Sequence, residues 1–115
     1  MPTLPDHERA ILPLAKLRYC LDMYHPTGQH KARVFRSALG LNTGDTAKLE
    51  RIVRDGLAAH DAHLSCTFID GTERWVVEWV LLARLGPMRM ITVWDRARGS
   101  APASLISCYL KKVKR

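Results

Sequence analysis

The segment HPTGQHKARVFR, His25 to Arg36, sets two histidines, a lysine and two arginines within twelve residues. Those residue types suit chemistry on a phosphodiester. An unperturbed imidazole titrates at about 6.5, so His25 and His30, on either side of Gly28, are candidates to give and take a proton near neutrality. Lys31 is a candidate cation for charge developing on a phosphate. Arg33 and Arg36 are three apart, close enough to hold one phosphate together. Near the other end of the chain, Tyr109 can stack on a base or pass a proton, and Ser107 shares its strand face. The expected catalytic residues are therefore His30, Lys31 and Tyr109, and the expected substrate-binding residues are His25, Arg33, Arg36 and Ser107.

No metal or cofactor is expected. The three cysteines, Cys20, Cys66 and Cys108, form no CxxC pair and read as buried free thiols of a reducing compartment. The His60-Asp-Ala-His63 cluster is a poor match to metal-ligand spacing, and there is no Walker or GxGxxG loop.

These residues need elements to position them. Pro13 suits the first turn of a helix over about Leu14 to Met23, with Leu14, Leu17, Tyr19, Cys20 and Leu21 as its apolar contacts. His25-Pro-Thr-Gly28 stops it, because Pro26 holds His25 extended and Gly28 permits a bend. A second helix is expected over about Gln29 to Leu39, closed by Gly40. On it Ala32, Val34, Phe35, Ala38 and Leu39 fill one arc, and Gln29, His30, Arg33, Arg36 and Ser37 fill the other. Lys31 falls in the middle of the apolar arc, where only an exit to water or an anion tolerates its charge. Thr43 or Asp45 caps a third helix, about Asp45 to Ala59, with a stripe of Leu49, Ile52, Val53, Gly56 and Leu57.

After His60 the apolar period changes from a helical one to two. Asp70-Gly71 reads as a two-residue hairpin with Ile69 opposite Thr72. That register puts Leu64, Cys66, Phe68, Trp75, Val77 and Trp79 on one face, and Ser65, Thr67, Arg74, Val76 and Glu78 on the other. Strands follow over about Met88 to Asp95 and Ser104 to Lys111. In the last, Ile106, Cys108 and Leu110 face the helices, with Ser107 and Tyr109 on the open side. The expected fold is α+β: three short N-terminal helices, within about 14–59, on one face of a four-stranded antiparallel meander, about 63–111, in a single domain of 115 residues. Lys31 then points to the covered side and Tyr109 to the open side. They can share a site only at an edge of the sheet.

The chain has 18 Lys and Arg against 11 Asp and Glu, a net charge of +7, which favours an acidic partner and nucleic acid first. With 47% hydrophobic and 25% charged residues it has the balance of a folded globule. Asp6, His7 and Glu8 stand where a signal peptide needs its apolar core, and no run is long enough for a membrane span, so the expected location is cytoplasmic.

KLRYCLDMYHPTGQHKARVFRSALGL, with WVVEWVL and the terminal LISCYLKK, resembles an uncharacterised family of bacterial domains of unknown function that share an HPxGxHKARxF segment and a closing Ser-Cys-Tyr strand. The resemblance covers most of the chain and implies no established reaction. The order of helices and strands also resembles, at the level of architecture, the barnase, EndoU, colicin and RelE-like ribonuclease toxins. That likeness implies a small metal-independent ribonuclease-like toxin domain acting on RNA more than on DNA. The alternative is a non-enzymatic module, an immunity or regulatory protein or a nucleic-acid binder using helix 29–39. An acidic protein such as an antitoxin or immunity protein is the other expected partner.

Overall fold

The computed structural model describes residues 2–84, 86–99 and 101–113. Its architecture is α+β. Helices α1 (Leu14–Leu21), α2 (Gln29–Leu39) and α3 (Thr46–Ala59) precede strands β1 (Ala62–Thr67), β2 (Glu73–Ala83), β3 (Gly86–Arg96) and β4 (Ser104–Lys112). The strands form one antiparallel sheet in the order β1-β2-β3-β4, which leaves β1 and β4 at its edges. The helices cover one face, over Val77, Trp79, Met88, Met90, Trp94, Leu105, Cys108 and Leu110.

The helices form where apolar spacing and end signals agree. In α2, Ala32, Phe35 and Ala38 are buried, and Gly40 closes the helix at φ 70°, a left-handed conformation suited to glycine. In α3, Leu49, Val53, Gly56 and Leu57 are buried. Gly56 is needed for space: a Cβ there would lie 2.1 Å from Cζ2 of Trp79. The indole packs directly on the helix backbone, and the His60 ring stacks on it at 5.4 Å and an interplanar angle of 2°. Asp45 stands at the N-cap of α3, as expected, but its side chain makes no cap hydrogen bond there; Asn42 caps the preceding 3₁₀ turn. Its side chain accepts from the Gly44 N–H at 2.9 Å, and Asp45 Oδ2 accepts from the Asn42 N–H at 3.0 Å, around a short 3₁₀ turn before α3.

Two strand registers differ from those expected. At the β1–β2 turn Phe68, not Ile69, lies opposite Thr72, since the Phe68 N–H donates to the Thr72 carbonyl at 2.8 Å. The loop has three residues, with Gly71 at φ 90° and Asp70 Oδ1 accepting from the Thr72 N–H. A bulge between Leu64 and Cys66 then pairs Leu64 with Trp75 and Cys66 with Arg74. An inserted residue re-aims every side chain beyond it, so Phe68 lies by the Arg74 guanidinium, 5.0 Å from ring centroid to Cζ. Cys66 is exposed, against the expectation of a buried thiol, while Cys20 and Cys108 are buried. A second bulge, between Val93 and Trp94, pairs Trp94 with Leu105. Leu105 is thereby buried in place of Ile106, whereas Cys108 and Leu110 keep the expected face.

The segment before α1 contributes more than the sequence pattern signals. Leu4, Ala10 and Leu12 join the core. The Ile11 N–H donates to the Ala103 carbonyl at 2.8 Å, and the Leu105 N–H donates to the Ile11 carbonyl at 2.9 Å, a parallel bridge that protects the start of β4.

Candidate functional site

α2 packs along β4, and α1 crosses the same strand. Between them is a corner at the sheet edge, and the bend His25 to Gly28 closes it. The His25 ring accepts at Nδ1 from the N–H groups of Thr27 (3.2 Å) and Gly28 (3.3 Å), so it forms the turn as an aspartate or asparagine often does. Tyr19, on α1, packs edge-to-face on His25 at 4.5 Å, and its hydroxyl shares a 3.1 Å hydrogen bond with Thr27 Oγ1. Gly28 has φ −97°, open to any residue, so the sharp bend it was expected to permit is not what requires glycine. The need is again for room, because a Cβ would stand 3.0 Å from the Tyr19 ring.

Lys31 leaves the first turn of α2 through this corner and is exposed. Its ammonium stands 4.5 Å from the centroid of the Tyr109 ring, and the Lys111 ammonium stands 5.7 Å from the same centroid. The edge position meets the geometric condition: Lys31 passes around β4 to reach a ring on the open face. Ser107 lines a small cavity here with Lys16, Tyr19, Cys20 and Lys31.

The other expected residues are placed elsewhere. His30 is exposed on the outer arc of α2 and does not line that cavity. Arg33 and Arg36 turn to different neighbours rather than to one point. Arg33 donates to Gln29 Oε1 at 3.3 Å, while Arg36 Nη1 lies 4.0 Å from the Met23 sulfur. Arg33 and Ser37 line a cleft of about 480 Å³ near the end of β4, together with Val34, Met88, Lys112 and Val113. Arg74 and Glu78, expected on the open face, are held by protein partners there. Arg74 donates twice to Asp95, at 2.8 and 2.9 Å, and Arg89 lies 3.9 Å from Glu78. The Asp95 carboxylate raises the Arg74 pKa further. Among the described residues no group of His, Cys, Asp or Glu is arranged to hold a metal ion, and no helix is long and apolar enough to cross a membrane.

A family model described as a domain of unknown function, DUF6883, matches residues 3–112, from the N-terminal segment to the last residue of β4. The chain belongs to the DUF6883 family. No curated protein and no solved structure matches this DUF6883 chain. Sequence reasoning missed Tyr19, Thr27, Lys16 and Lys111 as members of the DUF6883 corner. Lys111 was within reach of it, since it lies two residues from Tyr109 on the same strand face. Tyr19 gave no such signal, because its apolar spacing reads as helix packing.

Proposed function

We propose that this protein is a small ribonuclease-like domain that takes an RNA phosphodiester at the α2–β4 edge. The observation that carries the reading is the pair of ammoniums, Lys31 and Lys111, over one tyrosine ring. Two like charges gathered around one phenol repel each other unless an anion joins them. A phosphate beside Tyr109 is such an anion, and a flanking base can stack on the ring. In this reading Lys31 and Lys111 bind the phosphate, Ser107 donates a hydrogen bond, and Tyr109 stacks or passes a proton to the leaving oxygen. The cleft at the far end of the same seam, lined by Arg33 and Lys112 together with apolar residues, receives the adjoining nucleotide.

In this reading His25 acts in the expected substrate-binding role and not as a proton acceptor. With its Nδ1 lone pair taken by backbone N–H groups, the neutral ring carries its proton at Nε2 and donates. That makes it a hydrogen-bond donor rather than a base. His30 lies outside the corner, so a 2′-hydroxyl bound at Tyr109 meets neither imidazole as an acceptor. This observation favours a second reading, an RNA-binding module without cleavage. Incubating RNA with purified protein in EDTA, beside Lys31→Met, Tyr109→Phe and His30→Ala, separates the two. Cleavage lost in Lys31→Met and Tyr109→Phe supports the ribonuclease. Binding without cleavage supports the module, and neither binding nor cleavage removes both.

A further inference from the structure

Cys20, on α1, and Cys108, on β4, are 7% and 1% exposed and line the same cavity behind Lys31. Its volume of about 30 Å³ has room for about two water-sized groups, the size of hydrogen peroxide. Cys20 and Cys108 are neighbours in that wall, close enough for each to shift the other's pKa. On the other side of Cys108, the Met90 sulfur lies 3.5 Å from its Sγ. Two thiols of elements far apart in the chain thus line one cavity that admits only a small molecule, with Lys16 and Lys31 also in its lining.

We propose that Cys20 and Cys108 are a dithiol oxidised by hydrogen peroxide to a disulfide that ties α1 to β4. The environment divides the roles. The hydrogen bond from Cys108 lowers the Cys20 pKa; burial opposes this, and the Cys108 N–H and the charges of Lys31 and Lys16 add to the lowering. The hydrogen bond to Cys20, burial and the Cys20 charge together push the Cys108 thiol well up. Cys20 is therefore the attacking thiolate and Cys108 the resolving thiol. The Cys20 thiolate attacks one peroxide oxygen, the O–O bond breaks, and the departing hydroxide takes a proton to become water, leaving a sulfenic acid at Cys20. Cys108, giving up its proton, then attacks the Cys20 sulfur; the S–O bond breaks and a second water leaves. One peroxide is reduced to two waters as two thiols become one disulfide. The dithiol shares the lining residues Lys31 and Ser107 with the proposed RNA site, but its oxidation needs no RNA.

The test is peptide mass mapping of the full chain after stoichiometric hydrogen peroxide at neutral pH, with free thiols alkylated on denaturation. The expected product is a Cys20–Cys108 linked peptide pair, lighter by two hydrogen atoms and released by dithiothreitol. In Cys108→Ser, which keeps a donor to Cys20 but cannot form the disulfide, dimedone should trap a sulfenic acid at Cys20. Exposed Cys66 is the internal control. Cys20 and Cys108 both recovered alkylated while Cys66 is oxidised, or a disulfide that uses Cys66, would overturn the proposal, as would dimedone labelling of Cys66 without Cys20.

Discussion

Lys31 and Tyr109 meet around the edge of the sheet, the ammonium 4.5 Å from the ring centroid, although one belongs to the helical layer and the other to the open face. An exposed cation–π contact contributes only about 0.5–1 kcal/mol, and Lys111 repels Lys31 across the ring. Lys31→Met, which keeps most of the stem, should leave the urea unfolding free energy within about 1 kcal/mol of wild type. A loss of several kcal/mol would make Lys31 a structural residue.

Gly56 and Trp79 form a close junction between α3 and the sheet. Gly56→Ala should destabilise by about 1–3 kcal/mol through overpacking, even though alanine favours a helix by about 1 kcal/mol. Trp79→Ala should cost about 3–5 kcal/mol. In the Trp79→Ala background the added methyl meets no indole, so Gly56→Ala should become neutral or stabilising, a coupling that a double-mutant cycle in denaturant reads.

Thr92 is fully buried beneath the helices. Its hydroxyl donates to the Val77 carbonyl at 2.7 Å and accepts from the Trp94 indole N–H at 2.9 Å. Thr92→Val keeps the volume and strands that N–H, at a cost of about 1–3 kcal/mol. Thr92→Ser keeps both bonds and should lose less. Equal losses in calorimetric melts would show that the methyl, not the hydroxyl, matters.

Arg74 distinguishes a site at the sheet edge from one spread over the open face. Its guanidinium is occupied by Asp95 and is partly exposed, so Arg74→Gln should leave the melting temperature nearly unchanged. RNA affinity should not change in Arg74→Gln, whereas Lys111→Gln should lower it and reduce the salt dependence by about one phosphate contact. The reverse ranking in fluorescence anisotropy at several salt concentrations would move the site onto the open face.

Helical order was legible because period and punctuation agreed: Gln29–Leu39 with Gly40 behind it is found as read. The class of the sheet was legible from its period-two runs and the Asp70-Gly71 turn. Register was not, because one extra residue at each bulge reverses the parity on which the reading depends, and nothing in Ser65 or Ile106 marks them as insertions. The N-terminal segment was missed for a related reason: Leu4, Ala10 and Leu12 follow no period, and the segment is held by its bridge to Ser104 and by contacts of its His7–Arg9 turn with α3. Within the site, the place of Lys31 in the apolar arc correctly pointed to an exit at the sheet edge. His30 lies on the outer arc of α2, where its spacing placed it, but the spacing gave no sign that the turn consumes Nδ1 of His25.

The most direct test of a phosphate site at the α2–β4 edge is titration of single-stranded RNA against wild-type protein and Lys31→Met at low salt, with melting temperatures measured in parallel. The wild type should bind, and Lys31→Met should bind at least about tenfold more weakly, about 1.4 kcal/mol, with its melting temperature unchanged. Equal affinity in a folded Lys31→Met protein, or no binding by the wild type, would contradict it.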